Sequence, residues 1–277
     1  MNFNEVINIV EQASERFGVT NDKFYTNPKI AKMCIQQLNL KAYDRIIEPS
    51  AGNGSFSKQI PNCEAYDLVP EDNSIKKQDF LEFKADKGNT LVIGNPPFGH
   101  ANDLTLKFIK KAAEFARTIA FIVPSSCRKQ TFINKLPPNV HVRRVVELPK
   151  NSFLINGDKK YDVNCCFMIF DIKKAARKAP VPEITNDFKF VGKNEGDFSI
   201  LRKGWKTGRV LPPDSKISER SRAYIKSNIN PDKLKKRIAT LTFPEASYVL
   251  GSDSLTQQEF IHAYNLKYGK AASVRSE

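Results

Sequence analysis

The sequence predicts an α/β domain built on a mostly parallel sheet, followed by a smaller basic region. Three observations predict this. Apolar runs without polar alternation, such as "TIAFIVPSS" (118–126) and "DVNCCFMIFDI" (162–172), read as strands buried on both faces. A segment of helical period, "LTLKFIKKAAEFA" (104–116), repeats through Leu104, Phe108, Ile109, Ala112 and Phe115. After Ile172 the text turns basic and proline-bearing, "KKAARKAPVPEI", as a boundary does. The expected division is a first domain over 1–172 and a smaller basic region over 173–277.

The elements follow in order. "MNFNEVINIVEQASERFG" places Phe3, Val6, Ile7, Val10 and Phe17 at helical spacing, the pattern of a helix packed on a core. It lacks the basic start and apolar core of a secretory signal. "YDRIIEPSA" (43–51), "CEAYDLVP" (63–70) and "NTLVIGNPP" (89–97) read as strands ending in turn-formers, and "VRRVVELP" (142–149) as another. A helical pattern is expected after Gly54. Beyond 172, short segments such as "DFKFVG" and "DFSILRKG" precede a helix over Pro231–Thr240. A last helix is expected with Ser254 as N-cap and Gln257 three residues on. No run approaches the roughly 18 apolar residues of a membrane span. Five cysteines form no CxxC pair, and His100, His141 and His262 are scattered, so the spacing predicts free thiols, no metal and an intracellular protein, cytoplasmic or nuclear.

The net charge is +14 and is uneven. Residues 173–277 hold 21 basic and 11 acidic side chains, a net +10 against +4 for residues 1–172. This favours a polyanionic partner, with nucleic acid first and an acidic membrane surface second. Arg202, Lys203, Lys206, Arg209, Arg222 and Trp205 are the candidates for contact.

Two turns carry the chemistry. "IIEPSAGNGSF" is a strand followed by Gly52-Asn53-Gly54; such a turn either brings backbone close to a ligand or is simply tight. It lacks the third glycine of the dinucleotide fingerprint. Asp67 ends the next strand, where a carboxylate suits ribose hydroxyls, and Asp79-Phe80 follow at the next turn. The second turn is Asn95-Pro96-Pro97-Phe98. Two prolines can continue neither a helix interior nor a strand ladder, so a stiff corner is expected at a strand end.

"FYTNP" (24–28), "EPSAGNGSF" (48–56), "DLVP" (67–70), "QDF" (78–80) and "NPPF" (95–98) stand in an order that resembles S-adenosylmethionine-dependent adenine-N6 methyltransferases. The arrangement is the one with cofactor motifs first and target recognition C-terminal, and the likeness spans residues 20–172. The resemblance implies a class I, Rossmann-like methyltransferase fold with a seven-stranded sheet, plus a small C-terminal α+β region. It implies that Tyr25, Thr26, Pro28, Glu48, Ala51, Gly52 and Gly54 hold the methionine moiety. Asp67 would bind the ribose, and Leu68, Asp79 and Phe80 the cofactor adenine. Asn95, Pro96, Pro97 and Phe98 would form the catalytic corner, with nucleic acid as substrate, DNA favoured over RNA. Phe153, in "LPKNSF", is either a second ring against the target base or a core residue. Restriction–modification, phage or viral self-marking and RNA modification are all compatible roles. Glutamine N5-methyltransferases share the corner, and an inactive nucleic-acid-binding subunit could keep the fold.

Overall fold

The apolar runs become the centre of a seven-stranded sheet. The computed structural model describes residues 24–155, 159–248 and 253–269. Its first ten strands are β1 (Phe24–Thr26), β2 (Arg45–Glu48), β3 (Glu64–Asp67), β4 (Lys76–Lys77), β5 (Thr90–Gly94), β6 (Thr118–Pro124), β7 (Val140–Glu147), β8 (Phe153–Ile155), β9 (Lys159–Tyr161) and β10 (Cys165–Ile172). The large sheet runs β4-β3-β2-β5-β6-β10-β7. Neighbours from β4 to β6 pair in parallel, and β10 runs antiparallel to both β6 and β7. A separate antiparallel ribbon joins β1, β8 and β9.

Side-chain alternation explains why the runs look uniformly apolar. Ile47, Val92, Ile119, Phe121 and Met168 face one core cluster, whereas Ile46, Leu91, Ile93, Ala120 and Ile169 face a second. Both faces are covered, so every position of β5 and β6 is buried. Each such large apolar side chain stabilises the fold by roughly 1.5–3 kcal/mol through burial. Helix α1 (Pro28–Ile35) adds Ile30, Ala31 and Cys34 to the second cluster. Its N-cap Asn27 accepts from the Lys29 N–H, and Pro28 occupies the first turn, where no donor is missed. Helix α2 (Asp103–Ala112) adds Phe108, Ile109 and Ala112 to the first cluster. A one-turn helix, α3 (Gln130–Ile133), buries Phe132 there.

Two expectations change. The helix expected after Gly54 is a single 3-10 turn, Ser57–Gln59. Pro61 follows too soon for a helix to propagate, and the residue before a proline avoids helical geometry. The last helix starts two residues later than expected, with Thr256 as N-cap: Glu259 N–H donates to Thr256 Oγ1 at 3.2 Å, and Glu259 Oε2 accepts from Thr256 N–H at 2.7 Å. Ser254 is already committed, because it bridges to Lys203 and its N–H bonds the Ala246 carbonyl. The helix expected within residues 1–18 lies outside the described residues.

The chain divides into two compact units between Lys178 and Ala179, six residues past the boundary read from composition. Arg177 closes the first unit. Its guanidinium donates to the carbonyls of Ile133, Leu136, Pro137 and Val140. The second unit holds the antiparallel sheet β11-β14-β12-β13, from β11 (Phe188–Val191), β12 (Phe198–Leu201), β13 (Val210–Leu211) and β14 (Arg222–Ser227). Helices α4 (Pro231–Ile238) and α5 (Gln257–Tyr268) bury Leu234, Ile238, Phe260 and Tyr264 in one core with Phe188, Ile200 and Ile225.

Candidate active site

The carboxyl ends of β2, β3 and β5 bring most of the expected residues together. Gly52 and Gly54 take positive φ, +54° and +82°, which a side chain would strain. The turn is tied from three sides. Gly52 N–H donates to Asp67 Oδ2 at 2.7 Å, Ala51 N–H to the Tyr66 carbonyl at 2.9 Å, and Ser57 N–H to Glu48 Oε2 at 2.7 Å. The Tyr25 ring lies over Gly52, 3.5 Å from where a Cβ would stand. Tyr25 Oη donates to the Glu71 carboxylate at 2.7 Å; burial and then that bond raise its pKa. The Thr26 carbonyl accepts from Ser55 Oγ at 2.8 Å, which joins β1 to the turn. Leu68 is half-buried beside Asp67, and Pro28 is exposed on α1.

Glu48 is 2% exposed. Burial is the largest influence on its carboxyl and pushes the pKa up to about 7, against the opposing bond from Ser57. A Cβ on Gly94 would stand 3.4 Å from Glu48 Cγ and 3.5 Å from Pro49 Cδ. The glycine turn and the β5 corner therefore share one wall.

The corner follows Gly94. Ser50 Oγ donates to the Asn95 carbonyl at 3.2 Å, and Thr105 N–H donates to the Phe98 carbonyl at 3.4 Å. Phe98 is half-buried against the second core cluster. Asn95 Oδ1 is buried and has no hydrogen-bond partner. Buried acceptors are nearly always satisfied, so each exception needs a reason. Two other orphans, Asp103 Oδ1 and Ser125 Oγ, also follow β5 and β6. Sequence patterns did not single out either one. Nearby lies a cavity of about 270 Å³, lined by His100, Asn102, Asp103, Leu106, Phe132 and Lys135. The segment between corner and helix is strained: Ala101 and Asn102 have φ of +49° and +66°, and a Cβ on Gly99 would overlap Asp103 Oδ1.

Other expected residues sit elsewhere. Phe80 is 1% exposed and packs among Phe83, Phe108 and Phe115, so its ring offers no free face. Asp79 Oδ1 caps the following 3-10 turn through the Leu81 N–H at 2.8 Å. Phe153 is likewise 1% exposed, within the second core cluster, which is the core alternative of the sequence reading. Arg222 donates to the carbonyls of Ser215 and Ile217. Arg202 Nε is buried without an acceptor. The cysteines are free; Cys34, Cys127, Cys165 and Cys166 are buried, and burial raises each thiol's pKa. Among the described residues no cluster of three potential metal ligands exists, and no helix is long and apolar enough to cross a membrane.

Five parallel strands closed by an antiparallel β10 between β6 and β7 define a Rossmann-like class I methyltransferase fold. The family model of the EDM2 methyltransferase-like domain matches residues 54–142, about a third of the chain, from the glycine turn through the corner to the start of β7. Comparison with curated proteins gives no match. Among solved structures, a modification subunit of a candidate type I restriction enzyme from Vibrio vulnificus YJ016 is 13% identical, covering 93% of this chain and 65% of that one, with a TM-score of 0.42. A candidate RNA methyltransferase from Pyrococcus horikoshii is 16% identical over 52% of this chain and 82% of its own, with a TM-score of 0.41. The N-methyltransferase NodS from Bradyrhizobium japonicum WM9, bound to S-adenosyl-L-homocysteine, is 19% identical over 59% of this chain and 98% of its own, with a TM-score of 0.39.

Proposed function

We propose that the first unit binds S-adenosylmethionine and methylates the exocyclic N6 of adenine in nucleic acid, with DNA favoured over RNA. The observation that carries this reading is Asn95 Oδ1, a buried acceptor with no donor at the end of β5. The residues around the glycine turn fit the cofactor. Gly52 presents backbone beneath the Tyr25 ring, and in this reading Thr26, Pro28, Glu48, Ala51 and Gly54 would join them around the methionine moiety. On the same reading Asp67 would bind the ribose and Leu68 and Asp79 would contact the adenine, while Phe80 supports the Asp79 turn from the core. When bound, S-adenosylmethionine supplies an electrophilic methyl group.

The chain's own residues then prepare the nucleophile. An adenine amine is unreactive because its lone pair is delocalised into the ring. Asn95 Oδ1 accepts one N–H, and the Pro96 carbonyl, which has no donor among the described residues, accepts the other. Two acceptors draw the nitrogen towards tetrahedral geometry and release the lone pair. Phe98 offers a ring to the base, and Pro97 holds the corner rigid. Fixing reactants in this way contributes about 7–11 kcal/mol at best. A base in a duplex must leave the stack to reach the corner, at a few kcal/mol. The second unit, with 17 basic and 11 acidic residues after Lys178, supplies the backbone contacts; Lys203, Lys206 and Arg209 are exposed. That balance favours nucleic acid over a glutamine side chain in a protein.

Matched DNA and RNA oligonucleotides, incubated with the protein and S-adenosylmethionine and digested for nucleoside mass analysis, test the reading. N6-methyladenine nucleoside is the expected product, and its absence from both would end the proposal. One observation favours the scaffold alternative: both Asp67 oxygens already accept backbone bonds, from Gly52 and from Val69 at 2.9 Å. Calorimetry with S-adenosylmethionine separates the two, since a scaffold gives no binding heat.

A further inference from the structure

We propose that residues 202–209, the loop between β12 and β13, form a stacking platform for an unpaired base of single-stranded nucleic acid. The inference deepens the nucleic-acid part of the reading above and is independent of methyl transfer. Trp205, the only tryptophan of the chain, is 76% exposed in this loop. A lone exposed apolar residue is ordinary. Its setting is what matters here.

The loop is held firmly from below. Gly208 N–H donates to the Leu201 carbonyl at 2.7 Å, Leu201 N–H to the Arg209 carbonyl at 2.9 Å, and Gly204 N–H to the Asp253 carbonyl at 2.9 Å. Three of its residues take left-handed φ: Gly204 (+104°), Lys206 (+61°) and Gly208 (+92°). A Cβ on Gly208 would overlap the Phe243 ring, whereas a Cβ on Gly204 would meet nothing within 4 Å. The base of the loop is thus clamped and its tip is open. A ring presented this way loses little conformational freedom on contact.

Charge selects the partner. The loop carries Arg202, Lys203, Lys206 and Arg209 and no acidic residue. Four cations elsewhere in the unit are paired with carboxylates: Lys193 with Glu219, Lys226 with Asp197, Lys235 with Asp232, Arg237 with Asp187. Lys203, Lys206 and Arg209 have no carboxylate partner among the described residues. Lys206 Nζ stands 4.2 Å from the centroid of the Trp205 ring, so the ammonium lies on the ring. An exposed indole in a loop that also carries three cations without carboxylate partners matches a base flanked by phosphates. Paired bases keep their faces inside the stack, so duplex cannot use the ring in this way.

Because Trp205 is the sole tryptophan, the fluorescence of the full-length protein reports on this loop. Titration with single-stranded oligo-dT and its RNA counterpart is expected to quench it saturably, whichever sugar binds better. Dextran sulfate, a polyanion without bases, is expected to bind without quenching. Trp205→Ala should weaken single-strand binding by roughly ten- to a hundredfold, with Trp205→Phe recovering most of the loss. Unchanged affinity in Trp205→Ala, equal quenching by dextran sulfate, or no binding of either oligonucleotide would overturn the platform. Binding to polyglutamate in place of oligonucleotide would overturn it in favour of an acidic protein partner. None of these readouts needs a methyl donor, so each outcome leaves the methyltransferase test separate.

Discussion

The ends of β3 and β5 flank β2 in one sheet and use their polar groups in opposite ways. Asp67, at the end of β3, is fully employed by the fold: one oxygen holds the glycine turn and the other holds Val69. Asn95, after β5, keeps a buried oxygen that the fold does not use. Side chains of the first kind combine structure with any role in binding. Those of the second kind destabilise the resting protein, by about 1–3 kcal/mol for an unmet buried acceptor, and are therefore where a substrate is expected to make its bond.

The largest effect should come from Asn95→Ala. Loss of one acceptor aimed at the reacting group should lower the methyl-transfer rate by roughly 10²–10³-fold, with cofactor affinity near normal and thermal stability equal or higher. A destabilised variant with a proportionate loss of cofactor binding would break the contrast, because Asn95 would then be a pocket-building residue like Asp67.

Glu48 ends the strand between the two and gives a pH signature. Its folded pKa of about 7 lies above the ordinary 4.5, so the folded chain binds more protons than the unfolded chain between those values. The stability contribution is fully present below pH 4.5 and falls as pH rises through 7, by on the order of 3 kcal/mol in all. Glu48→Gln should flatten this decline in denaturant titrations at a series of pH values. An unchanged slope would mean that the carboxylate is stabilised in place by its Ser57 bond.

Asp67→Ala should weaken S-adenosylmethionine binding and also lower stability, by about 1–3 kcal/mol, since two backbone donors lose a charged acceptor. Calorimetry and chemical denaturation of the same variant read both effects. A change in binding without a change in stability would erase the distinction from Asn95. The smallest effect is expected from Ser50→Ala, which removes one bond to the Asn95 carbonyl and should reduce stability by about 0.5–1.5 kcal/mol, with a modest loss of rate.

How much was legible in the sequence follows from which physical signals are local. β5, β6 and β10 could be read because burial on both faces leaves unbroken apolar text. The two-residue β4, Lys76–Lys77, could not, since both side chains are exposed and only backbone pairing with β3 defines it. The corner was legible through its prolines, whereas the orphans at Asp103 and Ser125 depend on what surrounds them and leave no pattern. The cofactor contact expected of Phe80 requires an exposed face, and the choice between base-stacking and core for Phe153 turns on exposure too, which aromatic identity alone does not carry. Thr256 displaced Ser254 as cap because Ser254 was claimed by a bridge from far along the chain.

Arg177 also marks where the polypeptide can be trimmed. A version shortened to Ile172, the boundary that composition suggests, would strip four carbonyls of their donor and fray the segment from Ile133 to Val140. One shortened to Lys178 keeps that guanidinium in its socket. The six residues between those two endpoints therefore act as a clasp rather than a tether.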